Sequence, residues 1–558
     1  MAKTKKPEAT PKGLPNSAEI GFEKQIWDAA NILRGNIDAS EYKHVILGLI
    51  FLKYLSDKFE DQYKELKEAG DGLLSYLVYY YIFWAYAVLH FLGIHAVACF
   101  LRAGFEEDRD AEDRRSYDEQ NVFYVPVSAR WKKIAAKAHT PEIGKVIDDA
   151  SDHRSAVSIE KENTKLKGVL PKNFARPELD KRRLGEVVDL FTNITMTAHG
   201  DTKDILGRTY EYCLGQFAEQ EGSDFQSALA GEFYTPACVV RTLVEVIQPL
   251  SGRVYDPCCG SGGMFVQSAK FVESHQGNIN KISIFGQDSN PTTWKLCQMN
   301  LAIRGIEADL GEAAADTFSN DQHPSKKMDF ILANPPFNIS NWGGDKLQTD
   351  IRWKYGVPPA GNANFAWLQH MIHHLSPKGR IGMVLANGSL SSQSGNEGEI
   401  RKAIIEDDLL EGIVAMPPNL FYTATVPVAL WFINRKKAQC GKSLFIDARN
   451  MGTMVTRRLR EMTDGDIAKI ADTFDKFANG KFKAEKEFSA VVKTTEIAKQ
   501  DYILTPGRYV GLADQADDGE AFDEKMGRLT AELAGYFDES HKLEKEIKKR
   551  LGAIGWEI

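Results

Sequence analysis

Arg253-Val254-Tyr255-Asp256-Pro257-Cys258-Cys259-Gly260-Ser261-Gly262-Gly263 opens as a short strand and passes through a glycine-bearing turn. It continues into Met264 to Phe271, an apolar stretch of helical type. Glycines at a strand-to-helix turn let backbone approach a ligand closely, and the helix N-terminus that follows favours negative charge. The next strand, Ile282-Ser283-Ile284-Phe285-Gly286-Gln287, ends in Asp288. A carboxylate ending the second strand of a doubly wound sheet is placed to accept from ribose hydroxyls. Asp316-Thr317 comes next, and Asp316 could take a hydrogen bond from an adenine amino group. A dinucleotide fingerprint fails, because counting from Gly260 puts the third glycine position on Phe265. A P-loop fails too: Gly441-Lys442-Ser443 has Lys436 where the upstream glycine is required. These residues show neither a nucleotide-driven motor nor a dehydrogenase.

The second informative stretch is Asn334-Pro335-Pro336-Phe337, which closes the apolar run Phe330-Ile331-Leu332-Ala333. The run reads as a buried strand ending in a rigid, polar mouth. The residue before a proline is biased toward extended backbone, which holds Asn334 away from helix. An Asn side-chain carbonyl and a proline carbonyl can both accept from one exocyclic NH2, and neither proline can donate. Phe337 offers a flat face for stacking. An amino group held this way has its lone pair free, as methyl transfer to an aromatic amine requires. A proline-rich strand terminator with a packed Phe is the bland alternative for the tetrapeptide alone. Strand-like runs such as Ile381–Leu385 and Leu410–Ala415 alternate with helical ones such as Phe365–Leu375. That alternation implies an α/β fold with a mainly parallel sheet and ligands at the carboxyl ends of strands.

Together with Gly231-Glu232-Phe233-Tyr234-Thr235-Pro236, these residues resemble S-adenosylmethionine-dependent amino-methyltransferases of DNA. More narrowly, they resemble the modification (M) subunit of type I restriction–modification systems. The resemblance runs from about Gly21 onward, with one interruption. It also rests on Gln287 to Trp294, Met299 to Gly305, Gly361 to Trp367 and Leu420-Phe421-Tyr422. It implies a Rossmann-like methyltransferase domain that methylates adenine N6 in a specific DNA sequence. The implied cofactor residues are Glu232, Phe233, Tyr234, Thr235, Pro236, Asp256, Gly260, Ser261, Gly262, Gly263, Asp288, Asp316 and Thr317. The implied catalytic residues are Asn334, Pro335, Pro336 and Phe337, with no metal. Asp288 departs from the family, which commonly has Glu there. Asn364 and Phe365 either line the target pocket or serve as a helix cap and a core residue. The expected mechanism rotates the adenine out of the duplex, stacks it on Phe337, and lets Asn334 and the Pro335 carbonyl accept its N6 hydrogens. Cytosine N4, RNA and protein glutamine remain alternative targets of the same chemistry, and a non-catalytic scaffold or membrane-tethered binding protein is the alternative from another class. Asn rather than Ser at position 334 favours adenine by resemblance.

The seven cysteines are odd in number and hold no C-x-x-C pair, which argues for a reducing, cytoplasmic setting and against zinc. Cys258 could suggest a thiol nucleophile, but it lies in the cofactor loop, and amine methylation needs no covalent intermediate. The net charge of −8 excludes a freestanding polycationic DNA binder. No base-reading module is evident in the sequence, so recognition of double-stranded DNA is expected from a specificity (S) subunit. The resemblance further implies a second copy of the chain and a restriction (R) subunit as partners.

At 558 residues the chain is long enough for about three domains. Residues 1–15 are Lys- and Pro-rich and read as a disordered tail. Residues 16–184 read as an N-terminal helical domain: Phe22, Ile26, Ala30 and Leu33 recur at helical spacing, and Val45–Leu55 suits a buried helix. Within it, residues 73–101 contain no Asp, Glu, Lys or Arg and exceed the length of a membrane span. The flanks continue the soluble family pattern, so an insertion packed on the helical domain, a partner-binding surface or a sequence artefact is expected instead. Residues 185–451 are assigned to the methyltransferase domain and 452–558 to a C-terminal helical region that contacts the partner subunit. There Phe522, Met526, Leu529, Leu533, Tyr536, Leu543, Ile547 and Leu551 follow 4-3-type spacing, enough for a helix that packs on another helix or forms a coiled coil.

Overall fold

Short apolar runs between Gly252 and Lys493 pair into one nine-stranded sheet. In this computed structural model the described residues are 31–33, 45–68, 112–118, 120, 122–152, 154–155, 157–194, 235–275, 277–421, 427–455, 459–511 and 522–553. The strands are β1 (Gly252–Asp256), β2 (Ile282–Gly286), β3 (Ala308–Asp309), β4 (Met328–Ala333), β5 (Leu375–Ala386), β6 (Leu410–Ala415), β7 (Val428–Asn434) and β8 (Lys442–Asp447). A separate two-stranded ribbon follows, β9 (Thr453–Met454) with β10 (Arg460–Glu461), and then β11 (Ser489–Lys493) returns to the main sheet. The sheet order is β11-β8-β6-β7-β5-β4-β1-β2-β3. The block from β3 to β5 is parallel, β7 runs antiparallel to both its neighbours, and β11 runs antiparallel to β8. From β1 the chain builds outward to β2 and β3, then crosses back to place β4 on the other side of β1. The strand order therefore reverses between β1 and β4, where open α/β sheets bind ligands.

Successive side chains of a strand face opposite sides, and here each side meets its own helix layer. Val254, Leu332, Val384 and Val414 pack on one face with α2 (Ala237–Ile247), α3 (Gly263–Ser274) and α6 (Asp464–Ala478). Tyr255, Ile331, Met383 and Ile413 pack on the other with α5 (Asn364–His374). A separate apolar core holds residues 45–59, Tyr117, Trp131 and α1 (Lys181–Thr192). The helix α4 (Pro291–Ile303) serves both cores, with Leu296 and Met299 in the N-terminal one and Cys297 and Leu301 in the sheet one. Asn290 starts α4 as its cap, accepting from the amides of Thr292 (2.9 Å) and Thr293 (3.3 Å).

Two expected boundaries fall inside structural units. Position 184 lies within α1, whose Leu184, Val187, Val188 and Phe191 are all buried in the N-terminal core. Position 451 precedes α6 and β11, both integral to the sheet domain, so the sheet does not end there. The last helix, α7 (Phe522–Ala553), has 32 residues, a length of roughly 48 Å at 1.5 Å per residue. Its predicted apolar stripe, including Leu529, Leu533, Tyr536, Leu543 and Ile547, is exposed rather than docked on the chain. No described helix is long and apolar enough to cross a membrane. Residues 1–15, Phe22, Ile26, Ala30 and the apolar stretch 73–101 lie outside the described residues.

Candidate active site

The glycine turn is zipped to the end of β2. Gln287 donates its amide to the Asp256 carbonyl (3.2 Å), and Cys259 donates to the Gln287 carbonyl (3.0 Å). Asp288 then caps the turn: its Oδ2 accepts from the Gly260 amide (3.0 Å) and its Oδ1 from the Asn290 amide (2.9 Å). Gly260 and Gly262 have φ of +54° and +83°, the left-handed region that favours glycine. The two differ in surroundings. Among the described residues a Cβ on Gly260 meets nothing within 4 Å, whereas one on Gly262 would lie 2.9 Å from Cys297 Sγ. One side of the turn is therefore an open cradle, and the other is packed against α4. Asn300 of α4, buried in the helix, fixes that side by donating to the Ser261 carbonyl (2.7 Å), and Arg304 bonds to Asn300 in turn.

Asp256 ends β1 beneath this cradle and is buried. Burial pushes its carboxyl up to about 7, against the hydrogen bonds from the Cys258 amide and thiol, and the nearby Asp288 adds to the rise. A cation placed beside such a buried acid would favour its ionised form. The Cys258 thiol is pushed well above its usual range by burial, then by Asp256 and Asp288. Such a thiol stays protonated, which removes the nucleophilic form. Thr317 is buried and donates its hydroxyl to the Pro257 carbonyl (2.6 Å), tying the following wall to the start of the glycine turn. Asp316 is exposed, with Oδ1 taken by the amide and hydroxyl of Ser319, both at 2.8 Å.

Asn334 lies directly after β4, which is hydrogen-bonded to β1 in the register Val254–Phe330 and Tyr255–Ile331. Continued three residues, that register sets Asn334 level with Cys258, so the polar mouth and the glycine turn share one edge of adjacent strands. The Asn334 amide donates to Thr235 Oγ1 (2.8 Å). Its carbonyl oxygen, Oδ1, is buried and has no hydrogen-bond partner among the described residues. Pro335 is buried, and Phe337 is half-buried with its ring edge-on to Phe421 (6.3 Å, 77°). Asn338, at φ +56°, makes the turn that follows. Asn364 holds it by accepting from the Asn338 amide (3.0 Å) and donating to its side-chain oxygen (2.9 Å). Asn364 thus braces the mouth without capping α5, for which Ala363 is the cap residue. Phe365 is fully buried and edge-on to Trp431, so it is a core residue. Thr235 and Pro236 join the site through Asn334 and the start of α2, whereas Glu232, Phe233 and Tyr234 lie outside the described residues.

Sequence reading missed Asn300, Arg304, Arg352 and His370. Asn300 and Arg304 stand out as polar residues in and beside the apolar run Met299–Ile303 and His370 lies in a largely apolar helix, whereas Arg352, between Asp350 and Lys354, carries no such signal. Asp321, His370 and His374 bring candidate metal-ligand atoms within 4.8 Å of one another. The Arg352 guanidinium sits 3.1 Å from His370 Nδ1, and Tyr255 Oη is 3.2 Å from Nε2. Both imidazole nitrogens are engaged and a fixed cation adjoins, so the group suits a hydrogen-bonded strut better than a metal centre.

Known proteins define the class. A family model described as N-6 DNA methylase matches residues 201–518, and one described as the HsdM N-terminal domain matches residues 22–191. The HindI type I restriction enzyme methylase subunit of Haemophilus influenzae is 49% identical over 454 residues, 78% of this chain and 100% of that protein. The MjaIX type I restriction enzyme methylase subunit of Methanocaldococcus jannaschii is 39% identical across 96% of this chain and 92% of its own length. A crystal structure of a type I restriction–modification methyltransferase subunit from Streptococcus thermophilus shares the fold, with a TM-score of 0.67 at 23% identity, covering 88% of this chain and 99% of that one. The chain belongs to the N-6 DNA methylase family, within the branch of type I restriction enzyme methylase subunits.

Proposed function

We propose that this chain methylates N6 of an adenine in duplex DNA, with S-adenosylmethionine as donor, as the modification subunit of a type I restriction–modification complex in the cytoplasm. The observation that carries the reading is the buried Asn334 Oδ1, without a hydrogen-bond partner among the described residues, one strand away from an open glycine cradle. A buried acceptor without a donor costs stability, and the exocyclic amine of an extruded base is a donor that fits it. The cradle suits the cofactor: among the described residues nothing fills the space where a Cβ on Gly260 or Gly263 would stand, and Asp256 is a buried acid whose ionised form a cation would favour. Thr235, Pro236, Asp256, Gly260 to Gly263, Asp288 and Asp316 would hold it, with Glu232, Phe233 and Tyr234 contributing from the preceding segment. Thr317 supports the cradle from behind through Pro257. When bound, S-adenosylmethionine supplies a methyl group activated by its sulfonium.

The chain's own residues do the rest. Phe337 stacks on the adenine, which must leave the duplex to reach a buried site. Asn334 Oδ1 and the Pro335 carbonyl accept the two N6 hydrogens, leaving the nitrogen lone pair directed into the cradle. Rate gain comes from positioning and from acceptors aimed at the charge that develops on the amine. The amine proton leaves to solvent. A specificity subunit supplies sequence recognition, with the exposed stripe of α7 as the chain's contact to it, and a second copy and a restriction subunit complete the assembly. The relatives are named as subunits of restriction enzymes, which supports an assembly.

The test is co-expression with a cognate specificity subunit and mapping of modified bases in host DNA. N6-methyladenine at one recognition sequence, lost in Asn334→Ala with cofactor binding retained, is the expected result. Methylated cytosine, RNA or protein with unmodified adenine would overturn it.

A further inference from the structure

We propose that Arg352 is a positioning residue that sets cofactor affinity without touching the cofactor, by locking the wall formed by Asp316, Thr317 and Phe318 against the glycine turn. The inference rests on the site reading above. Arg352 is buried and lies 35 residues from Thr317 in sequence, in the segment between the polar mouth and α5. Its Nη1 donates to the Thr317 carbonyl (3.1 Å) and its Nη2 to the Phe318 carbonyl (2.6 Å). Asp350 orients the guanidinium from its other edge, accepting from Nε (2.8 Å) and Nη2 (2.6 Å). The planar fork of arginine meets these acceptors at once, which the single ammonium of lysine cannot do.

Two paths run from this hub to the cradle. Along the first, the Thr317 hydroxyl reaches the Pro257 carbonyl, the residue after Asp256. Along the second, Nη1 donates to His370 Nδ1 (3.1 Å), which leaves Nε2–H to face Tyr255 Oη (3.2 Å), next to Asp256 on β1. Arginine is a donor only, so His370 is the acceptor and is held neutral. Burial, and after it the neighbouring His374, lowers its basicity in the same direction. Both paths end at the residues flanking the carboxyl end of β1. Loss of the hub frees the Thr317 wall to shift relative to the turn while the sheet stays intact.

The experiment measures S-adenosylmethionine affinity by calorimetry on the full chain, together with KM for cofactor and for DNA in the complex with the specificity subunit. Arg352→Met and Thr317→Val are each expected to weaken cofactor binding about tenfold to a hundredfold, the size of losing one or two charge-assisted or buried hydrogen bonds. KM for DNA stays at the wild-type value. Thr317→Val removes one hydroxyl at constant volume, so it tests the idea even where Arg352→Met folds poorly. The double variant is expected to lose little more than Arg352→Met alone, because the path that Thr317→Val cuts is one of the two that Arg352 holds. Multiplicative losses in the double variant, equal loss of DNA affinity, or unchanged cofactor binding in Thr317→Val would overturn the proposal. Wild-type chain that binds no S-adenosylmethionine overturns the site reading itself, a separate outcome.

Discussion

Alanine at Gly262 tests the cradle where backbone and packing constrain the same residue. The φ of +83° costs a side-chain-bearing residue about 1–2 kcal/mol. The new Cβ would lie 2.9 Å from Cys297 Sγ, well below the 3.5–4.0 Å at which nonbonded atoms pack best, while Leu301 at 3.7 Å is in ordinary contact. Cys297 is fully buried on α4, so overpacking adds about 1–3 kcal/mol. The sum is about 2–5 kcal/mol, a Tm fall of roughly 4–20 °C for a domain of this size. Gly260→Ala is the control: its φ of +54° is also left-handed, but nothing among the described residues stands within 4 Å of its Cβ, so only the backbone part of about 1–2 kcal/mol applies. Adding Cys297→Ala to Gly262→Ala removes the clashing sulfur and leaves the backbone strain. The double variant, followed by denaturant titration, is expected to be more stable than the sum of the single changes by about 1–3 kcal/mol. Strict additivity would show that the turn is not pressed against α4, and the packed-side, open-side picture of the cradle would fall with it.

Two further outcomes follow from charge and exposure. Asp256 is held near 7 by burial, above the ordinary carboxyl value of 3.8, so the folded chain retains a proton that the unfolded chain releases. The stabilisation this gives is complete below about pH 4 and is lost as pH rises through about 7, by a few kcal/mol at most. Asp256→Asn flattens that part of the stability–pH curve in thermal scans, and an unchanged slope would refute the assignment. Removal of residues 522–553 takes away a helix whose residues 526–550 are exposed throughout. It should leave the Tm of the remaining chain within about 2 °C, since exposed surface contributes little, while abolishing co-purification with the specificity subunit. A large Tm loss would mean that α7 docks on its own chain.

Local chemistry made the core of the fold legible. Leu410–Ala415 is apolar at nearly every position because it is buried on both faces, and it forms a strand with the bounds the sequence suggested. The strand read at Ile381–Leu385 is longer in the structure, Leu375–Ala386. Its Ser376-Pro377-Lys378-Gly379 start carries no apolar signal, and its pairing to β4 shifts register between Met328 and Phe330. The boundary at 451 failed for a related reason. Ser489–Lys493 is a short edge strand whose partner, β8, lies some forty residues back, and nothing local announces that pairing. The site divides in the same way. Glycines, prolines and strand-ending carboxylates mark themselves, whereas Asn300, Asn338, Arg352 and Asn364 act on partners 26 to 39 residues distant and are chosen by tertiary contact.

The oxygen of Asn334, without a hydrogen-bond partner among the described residues, is the point at which these two kinds of residue meet. Desolvating an acceptor without a donor costs about 1–3 kcal/mol, and the surrounding fold bears it easily. β4 lies between β1 and β5, and Ile331, Leu332 and Ala333 are fully buried just before the polar mouth. The amide is also kept from turning away: Thr235 takes its donor end, and Asn338 and Asn364 fasten the chain just beyond Phe337. An acceptor already stripped of water and already oriented has no reorganisation left to undergo when an amine arrives, the condition under which fixed dipoles accelerate a reaction most. The same reasoning separates Asn334→Asp from Asn334→Ala. Aspartate keeps an acceptor but loses the donor to Thr235 and buries a charge, so it should lose activity by misorientation while retaining cofactor binding. Alanine loses the acceptor outright. If Asn334→Asp retained near-wild-type turnover in the base-mapping assay, orientation through Thr235 would not matter, and the acceptor alone would explain the site.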